Sequence, residues 1–341
     1  MWDELARVCS TAHPQYLYDW LEPWWREIGS RRNTLACVGA YQAERLVAVA
    51  PLMLVRRRSR GLASLRVLQW LGTGPSDQSD ILSRADAEAA GIAVAEHLAR
   101  NRRSWDELHL QCVLAGSEAV EALLNALRER VKCSTSVKSA RQYYIDTGGG
   151  WEHYLATTSK KFVRRDLPRI RRRLAELGEL RIDHDRDPDI EALLRMAATI
   201  HAARQDELGR ESILADSRSR AFLTETLGRL RRQGLLSVWT LRVGSDIGAY
   251  LIGFETGGVF YAWNMAHNPA YNAASPGKAL WASAIEACFE DPTINEFNMM
   301  RGDTDYKLKW TNTSRELLSI RVRNLSTPRS VLLNSLRSRV G

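Results

Sequence analysis

The stretch Val259-Phe260-Tyr261-Ala262-Trp263-Asn264-Met265 begins the segment that decides how the whole chain is interpreted. Its apolar residues alternate, which predicts a strand. A loop of small residues follows and ends Ala273-Ala274-Ser275-Pro276-Gly277. The next segment has apolar residues at helical spacing on one face, namely Leu280, Trp281, Ala284, Ile285, Cys288 and Phe289. A second strand is predicted at 294–299, followed by Arg301-Gly302-Asp303-Thr304-Asp305-Tyr306-Lys307.

A strand, a loop of small residues and a helix N-terminus together form a recognisable chemical environment. The first turn of a helix has unpaired N–H groups at the positive end of the helix dipole, which suits a phosphate or pyrophosphate. Ser275 is predicted to cap this helix and Pro276 to occupy its first turn, while Gly277 lets a ligand approach the backbone. An ordinary strand–loop–helix corner has the same local pattern, so the pattern alone leaves both interpretations open.

A family resemblance is carried by Asn264, the run Ser275-Pro276-Gly277-Lys278-Ala279-Leu280, Phe297-Asn298, Gly302-Asp303, Tyr306-Lys307 and Trp310. These residues resemble the GNAT acetyltransferase superfamily, and within it the CelD-like exopolysaccharide-associated acetyltransferases related to the FemAB aminoacyltransferases. In that branch the Ser-Pro-Gly loop precedes the helix that faces the acyl-CoA pyrophosphate, and Gly-Asp-x-x-Tyr-Lys lies near the acceptor. The resemblance runs in outline from about residue 15 to about residue 323, with its specific motifs in the last third.

One part of the usual GNAT pattern is missing. The Gln/Arg-x-x-Gly-x-Gly pyrophosphate signature of simple GNAT enzymes is absent, and only Gly277 with its small neighbours stands in its place. The type of donor therefore stays open between acetyl-CoA or another acyl-CoA and aminoacyl-tRNA.

The order of predicted elements before residue 146 is helix, strands, helix, strand, helix, strand, and it matches the GNAT order. The resemblance therefore implies an α/β fold of two tandem GNAT-like domains, each a mixed, mostly antiparallel sheet flanked by helices. We expect a degenerate N-terminal GNAT-like domain at 1–146, a catalytic C-terminal GNAT-like domain at 147–325 and a short basic tail at 326–341. The run Thr147-Gly148-Gly149-Gly150 is the expected linker.

Composition limits the class of protein. The chain has 341 residues, of which 45% are hydrophobic, so a folded core is expected. No apolar run approaches the roughly 18 residues of a spanning helix, and the N-terminus lacks the pattern of a signal peptide. The 5 cysteines are widely spaced without a Cys-x-x-Cys pair, which favours reduced thiols in the cytoplasm and gives no indication of a metal site. The net charge of +8 is typical of proteins with nucleic-acid, anionic-lipid or phosphorylated partners.

Much of the positive charge is concentrated between Lys160 and Arg173, where 8 basic residues face a single acidic one, Asp166. An apolar seam runs through the same segment, so a helix is predicted over 159–177, kinked near Pro168. The segment could contact a polyanion, the phosphates of a donor or a tRNA. A solvated basic face is the other interpretation.

The candidate catalytic residues are His201, Asp303, Asp305 and Tyr306. His201 and Arg204 continue the inner face of a helix that begins at Asp187-Pro188-Asp189, whose end faces the acceptor cleft in the resembled branch. A neutral His201 could take a proton from the attacking amine or hydroxyl, or both side chains could bond to the following loop. Asp303 and Asp305 are alternative bases, His267 is less favoured, and Tyr306 could protonate the leaving thiolate or hold the acceptor.

The remaining site predictions divide between donor and acceptor. The predicted donor-binding residues are Met265, Ser275, Pro276, Gly277, Lys278 and Ala279. The predicted acceptor-binding residues are Arg204, Trp263, Asn264 and Lys307, the last as a contact for a carboxylate or phosphate.

Three functions remain open on the sequence. The first is acyl-CoA-dependent transfer to an amine or hydroxyl, with a small molecule, a sugar or a cell-surface precursor as acceptor. The second is FemAB-like transfer from aminoacyl-tRNA, which the basic segment 160–173 would contact. The third is a catalytically silent tandem-GNAT binding protein. The oligomeric state does not follow from the sequence.

Overall fold

A computed structural model describes residues 1–9, 13–59, 62–84, 86–157, 162–207, 209, 212, 214–302, 305–327 and 329. The chain divides into two compact units, Met1–Arg141 with Arg315–Gly341 (unit 1) and Gln142–Ser314 (unit 2). Both units contain mostly antiparallel sheet with helices packed on it, so the predicted α/β class is confirmed. The domain bounds that we drew from the sequence stay a prediction. None of the described helices is long and apolar enough to span a bilayer.

The secondary structure follows the predicted order closely. The helices are α1 (Trp2–Val8), α2 (Tyr18–Trp24), α3 (Ala87–Arg100), α4 (Glu118–Arg130), α5 (Trp151–Thr157), α6 (Leu167–Leu177), α7 (Ile190–Glu207), α8 (Ser217–Arg232) and α9 (Pro276–Glu290). The strands are β1 (Asn33–Leu35), β2 (Val38–Gln42), β3 (Arg45–Ala50), β4 (Leu52–Ser59), β5 (Leu62–Trp70), β6 (Leu82–Ser83), β7 (Glu107–Leu114), β8 (Cys133–Asp146), β9 (Leu180–Asp185), β10 (Leu236–Val243), β11 (Asp246–Thr256), β12 (Val259–His267), β13 (Glu296–Arg301) and β14 (Ser314–Asn324).

Unit 1 is built on the strand order β1-β4-β5-β7-β14-β8, with a small second sheet β2-β3-β6. β3 and β4 are separated at Pro51, which has no N–H to donate to a ladder. α3 and α4 pack closely on one another, because Gly91 of α3 lets the backbone of Ala119 approach. Their apolar faces bury the core of this unit together with β5, β7 and β14.

Unit 2 has the strand order β8-β13-β12-β11-β10-β9, in which β8 contributes its C-terminal end. β11 is buried along seven consecutive residues, so it lies in the middle of the packed layers. α9 is buried on several sides and packs on β10, β11, β12 and β13. Leu280, Trp281 and Ile285, which the helical spacing predicts on the inner face, are all buried in the core of this unit.

Among the strand pairings described, each unit has one parallel pair joined by a helix. In unit 1, α3 lies between β5 and β7; in unit 2, α9 lies between β12 and β13. In both units the parallel pairing is short, covering Val67 to Gln69 with Glu107 to His109 and Val259 to Tyr261 with Glu296 to Asn298. These two strand–helix–strand segments therefore have the same topology in the two halves of the chain.

Candidate active site

The strands β12 and β13 diverge after three paired residues. Their parallel pairing runs from Val259 to Tyr261 on β12, and from Glu296 to Asn298 on β13. β12 then continues to His267, while the far end of β13 pairs with β8 through Arg301 and Gln142. Because α9 connects two parallel strands, its N-terminus lies at the carboxyl edge of both. The point of divergence and the helix N-terminus therefore lie at the same edge of unit 2.

The residue before α9, Ser275, provides no side-chain cap for the first turn of this helix. Ser275 precedes it in the left-handed conformation (φ +55°, ψ +54°) and makes no capping hydrogen bond, so the predicted Ser275 cap is wrong. A capping side chain reaches the first-turn amides from an extended backbone, which Ser275 lacks. Pro276 does occupy the first helical position, as predicted. Lys278 N–H donates to the Ser275 carbonyl at 3.1 Å, and Gly277 N–H has no acceptor among the described residues.

Gly277 packs against the end of β12. A Cβ atom built on it would lie 3.4 Å from Met265 Cε and 3.5 Å from His267 Nδ1. These are ordinary contact distances, so a methyl group fits there, whereas a large side chain would collide with β12. Met265 and Gly277, both predicted for the donor site, are therefore neighbours.

A chain of hydrogen bonds joins β12 to the end of α7. Asn272 Nδ2 donates to Glu207 Oε1 at 2.7 Å, which orients the amide so that its Oδ1 faces His267 Nε2 at 2.8 Å. The network therefore assigns the imidazole proton to Nε2 and leaves Nδ1, the atom facing Gly277, as an acceptor. Glu207 is also ion-paired with Arg204. These four side chains tie α7 to the loop in front of α9.

The imidazole of His267 is neutral at pH 7. Burial lowers its pKa below the ordinary value of 6.5; the hydrogen bond to Asn272 opposes this, and the charge of Arg204 adds to it. Sequence reasoning gave His267 little weight and missed Asn272 and Glu207, because the pattern around them contains no signal for a contact between α7 and the loop 268–275.

A pair of lysines lies beside the same helix turn. Burial lowers the pKa of Lys278, the charge of Lys309 lowers it further, and Asp166 opposes the shift. Lys278 of α9, Lys309 of the turn 307–309 and Asp166 ahead of α6 are therefore within electrostatic range of one another. Lys309 was missed by the sequence analysis, although it follows the Tyr306-Lys307 motif directly.

His201 lies on α7, one turn before Arg204. Its Nδ1 is 2.7 Å from Ser212 Oγ, and its Nε2 is 3.5 Å from Gln205 Nε2. Burial lowers the pKa of His201, so the ring is neutral at pH 7. The contact with Ser212 is the loop hydrogen bond that the sequence analysis left open, and a role for His201 as catalytic base stays a prediction.

The predicted acceptor residues Trp263 and Asn264 lie at an irregularity of β12. Trp263 is an extra residue between the positions that pair with Ile252 and Gly253 of β11. Such a bulge bends the strand and re-aims the side chain. Next to it, Asn264 Oδ1 accepts a hydrogen bond of 2.8 Å from the buried Tyr250 hydroxyl. The bulge and the divergence from β13 therefore affect the same part of β12.

Lys307 is buried, with only 3% of its surface exposed. Its ammonium donates to the carbonyl oxygens of Met300 at 3.0 Å and Arg301 at 2.9 Å. Met300 is in the left-handed conformation (φ +58°), so Lys307 holds the strained end of β13. This contact gives Lys307 a positioning role, whereas its predicted contact with a substrate stays a prediction.

Tyr306 lies beside α9. It is 38% exposed, and its ring meets Trp281 edge-on with centroids 5.8 Å apart. Asp305 next to it is exposed. Asp303 lies outside the described residues, so its predicted role is untouched by the structure.

The basic segment is described from Phe162 onward, which leaves Lys160 and Lys161 out. A π-helical turn at 162–166 precedes α6, and Pro168 lies in the first turn of α6. Arg171 contacts Ser283 and Glu286 of α9, both at 3.3 Å. Arg169 and Arg173 are exposed and form no ion pair within the described residues. The outer face of α6 is therefore positively charged.

A family comparison bears directly on this unit. Residues 161–308 match the family model described as an acetyltransferase (GNAT) domain. The match covers α6 to β13 and with them the divergence of the strands, the first turn of α9 and the Gly-Asp-x-x-Tyr-Lys segment. No curated protein sequence matches the chain.

Solved structures match nearly the whole chain. FemX is 10% identical, with a TM-score of 0.62 over 98% of this chain and 97% of FemX. The C-terminal domain of a proposed lysylphosphatidylglycerol synthetase from Agrobacterium fabrum is 11% identical, with a TM-score of 0.54 over 92% and 91% of the two chains. L-PGS from Bacillus licheniformis is 13% identical, with a TM-score of 0.53 over 93% and 95%. At these identities the likeness shows the fold alone.

The family match and the fold agree with the geometry of unit 2. The family recognised from the sequence and the enzyme class predicted from it are both confirmed. Residues 161–308 match the GNAT acetyltransferase domain family, and this domain supports an acyltransferase as the enzyme class.

Proposed function

We propose that the chain transfers an acyl group from an acyl-CoA directly to an amine or hydroxyl of its acceptor. The observation that carries the proposal is the uncapped first turn of α9 at the edge where β12 and β13 diverge. An uncapped helix N-terminus beside a lysine is suited to a phosphate-bearing donor.

In this proposal the donor pyrophosphate binds at the first turn of α9. Gly277 N–H supplies a backbone donor, and the ammonium of Lys278 supplies a charge-assisted contact. Lys309 adds positive potential nearby. His267 faces the same turn as a neutral acceptor, and it binds a hydroxyl or amide of the donor more readily than a phosphate oxygen.

The chain of the donor then runs along β12. Past Tyr261, β12 no longer pairs with β13, so its inner edge can hydrogen-bond an extended amide-containing chain as an added strand would. This direction leads from Gly277 toward the bulge at Trp263 and Asn264. We therefore assign the thioester to the neighbourhood of the bulge.

The transfer itself needs one proton acceptor and one proton donor. The acceptor nitrogen or oxygen attacks the thioester carbonyl carbon and gives up its proton, the C–S bond breaks, and the thiolate takes up a proton. We assign the protonation of the thiolate to Tyr306, which is 38% exposed and whose ring contacts Trp281 of α9. Asp305, Asp303 and His201 are the proposed bases, with His201 the weakest because Ser212 and Gln205 contact its two nitrogens.

The acceptor is proposed as a sugar or cell-surface precursor that carries a free amine or hydroxyl. Arg204 lies at the end of α7, next to the loop before α9, and suits an anionic group on that acceptor. The five cysteines are free thiols, which fits a reaction in the reducing cytoplasm.

Calorimetric titration with acetyl-CoA and longer acyl-CoAs at two salt concentrations tests the proposal. We expect micromolar binding that Lys278→Met weakens by about tenfold, the loss of one charge-assisted contact. The matched variant Lys132→Met removes a lysine of unit 1 and should bind like the unaltered protein. If no acyl-CoA binds at either salt concentration, acyl-CoA is not the donor.

Transfer from aminoacyl-tRNA is the second candidate, and the basic face of α6 favours it. Arg169, Arg172 and Arg173 are exposed on one helix. The fold matches FemX over almost its whole length, and the name of the Agrobacterium relative describes a lysyl product. A tRNA contact loses affinity steeply with salt, whereas CoA binding depends on it less. Arg169→Glu with Arg173→Glu should abolish tRNA binding if this candidate holds and should leave acyl-CoA binding unchanged.

A further inference from the structure

Unit 1 contains a cavity that the proposed acyl transfer does not use. Its volume is about 360 Å³, and it opens where α1 ends and where α3 and α4 begin. The lining consists of Val8, Cys9, Asp80, Ile81, Ser83, Arg84, Ala87, Gly116, Ser117, Glu118 and Ala119. The volume is in the range of small-molecule sites, and the lining combines both signs of charge.

A buried carboxylate lies in the wall of this cavity. Asp80 is 6% exposed. Its Oδ1 accepts hydrogen bonds of 2.7 Å from Ile81 N–H and from the Ser117 hydroxyl. Its Oδ2 has no hydrogen-bond partner in the described part of the chain. One carboxylate oxygen therefore remains for a ligand.

The backbone that carries Asp80 is held in place by polar contacts. Polar side chains from Ser76 to Ser83 are buried, although the segment is largely a loop. Trp20 Nε1 donates to Ser76 Oγ at 3.0 Å, and Asp77 N–H donates to Gln15 Oε1 at 2.7 Å. Because α2 and the turn before it fix this loop, the carboxylate is pre-positioned and does not need to be ordered by the ligand.

Groups that attract an anion lie next to Asp80. Ser117, whose hydroxyl bonds to Asp80, is the N-cap of α4. The first-turn amides of Glu118 and Ala119, which have no acceptor among the described residues, begin one residue away. Arg84 contributes a guanidinium whose Nη2 donates to Glu4 at 2.8 Å and whose Nε has no partner among the described residues. A negative and a positive binding position thus lie within one small cavity.

From this juxtaposition we infer that the cavity binds a small free α-amino acid. The ammonium group lies on Asp80 Oδ2, and the carboxylate lies on the first-turn amides of α4 and on Arg84. A simple anion would meet the Asp80 carboxylate, and a simple amine would leave the α4 amides unpaired. A zwitterion carries both charges on one small molecule and can satisfy both positions within one cavity.

Thermal unfolding of the full chain tests the inference, because a ligand that binds the folded state raises the melting temperature. The probes are the twenty protein amino acids at millimolar concentration, one at a time. For L-alanine the matched controls are propionate, which lacks the ammonium, and ethylamine, which lacks the carboxylate. We expect at least one amino acid to raise the melting temperature, and its two half-molecules to have no effect.

Asp80→Asn is the decisive variant, because the amide keeps the acceptor for Ile81 and Ser117 and removes the charge. We expect it to weaken amino-acid binding by about ten- to a hundredfold, the loss of one charge-assisted hydrogen bond. Asp86→Asn makes the same change six residues later and outside the lining, and it should bind normally. The inference is overturned if no amino acid stabilises the protein, if propionate stabilises it equally, or if Asp80→Asn responds like the unaltered chain.

Discussion

The two strand–helix–strand segments have the same topology and opposite electrostatics at the helix start. In unit 1, the first turn of α3 is capped by Asp86, whose carboxylate accepts from Ala89 N–H at 2.8 Å. In unit 2, α9 begins after Ser275 with no cap and has Lys278 in its first turn. A carboxylate cap neutralises the positive end of the helix, and a lysine reinforces it. Two residues, Asp86 and Lys278, therefore make the start of α9 more positive than the start of α3.

The strand edges beside the two parallel pairs also differ, and again unit 1 is the unit in which the chain itself occupies the position. In unit 1, the polar loop before β6 reaches the second parallel strand, because Ser79 N–H donates to the Cys112 carbonyl at 2.9 Å. In unit 2, the buried ammonium of Lys307 donates to the Met300 carbonyl. Past Tyr261, β12 is no longer paired with β13. Cys112 and Met300 are both left-handed, with φ of +59° and +58°. Both units thus have a left-handed residue in the second parallel strand. In unit 1, the loop that contains Ser79 lies beside that residue.

The strongest test of this contrast is steric. Gly277→Trp places an indole against Met265 and His267 at the start of α9 and should lower acyl transfer by about a hundredfold or more, as a lost anion site does at a catalytic centre. Glu88→Trp puts the same side chain at the second helical position of α3, where it is exposed, and should leave the rate unchanged. The rate of CoA release from acetyl-CoA is the measurement.

A milder variant separates folding from binding. Gly277→Ala adds a methyl group at ordinary contact distance and should retain activity, while raising stability by up to about 1 kcal/mol. Equal loss of activity in Gly277→Ala and Gly277→Trp would mean that Gly277 acts through the backbone and not through the open space beside it.

The second prediction concerns Asp80, which lies in the polar loop of unit 1 that hydrogen-bonds to β7. Burial raises the pKa of Asp80 to about 6, against 3.8 ordinarily, and the hydrogen bonds from Ser117 and Ile81 oppose the shift. A raised folded-state pKa means that the folded protein loses stability as pH rises from about 3.8 to about 6. Asp80→Asn should therefore stabilise the chain at pH 7.5 by about 2 kcal/mol, after weaker amide hydrogen bonds are subtracted.

Urea unfolding at pH 7.5 and pH 4 measures that difference. The gain should shrink toward pH 4, where the Asp80 carboxyl is largely protonated in the folded chain. An equal effect at both pH values would show that packing, and not charge, governs the variant. A carboxylate kept at such a cost to stability is typical of a binding group.

The third prediction exchanges the two helix starts. Ser275→Asp supplies unit 2 with the acidic residue of unit 1, and aspartate tolerates the left-handed backbone that Ser275 adopts. The added negative charge should weaken acyl-CoA binding by about tenfold at low salt and less at high salt. Asp86→Ser is the reciprocal change and should leave acyl-CoA binding unaffected. Calorimetric titration of both variants with acyl-CoA is the measurement. Normal acyl-CoA binding by Ser275→Asp would refute the electrostatic explanation.

The features that could be predicted from the sequence are those that depend on residues close together along the chain. Spacing along the chain predicted β12 and α9, because local apolar periodicity determines these elements. The same patterns missed the Ser275 backbone and the π-helical turn at 162–166, which depend on tertiary packing. They also could not join Asn272 to Glu207, since no periodicity links residues 65 positions apart.

The smallest expected effect belongs to that hydrogen-bonded chain. Burial, opposed by Asn272, holds the pKa of His267 below 6.5, so the unfolded chain binds more protons than the folded one in weak acid. The folded state should therefore lose stability as pH falls below about 6.5, and no further once pH passes the lowered pKa. His267→Gln keeps a hydrogen-bonding side chain and removes this dependence.

The comparison of stability between pH 7.5 and pH 5.5 must be made against the unaltered chain, because burial also lowers the pKa of His201 and His184. We expect the His267→Gln variant to lose less stability in acid by a margin smaller than the Asp80 effect. Protonated His267 also adds a positive charge beside Gly277, so acyl-CoA binding to the unaltered chain should tighten slightly at pH 5.5, and that gain should be absent in the variant. If both proteins bind alike at the two pH values, His267 only ties the loop 268–275 to α7 and lies outside the reach of the donor.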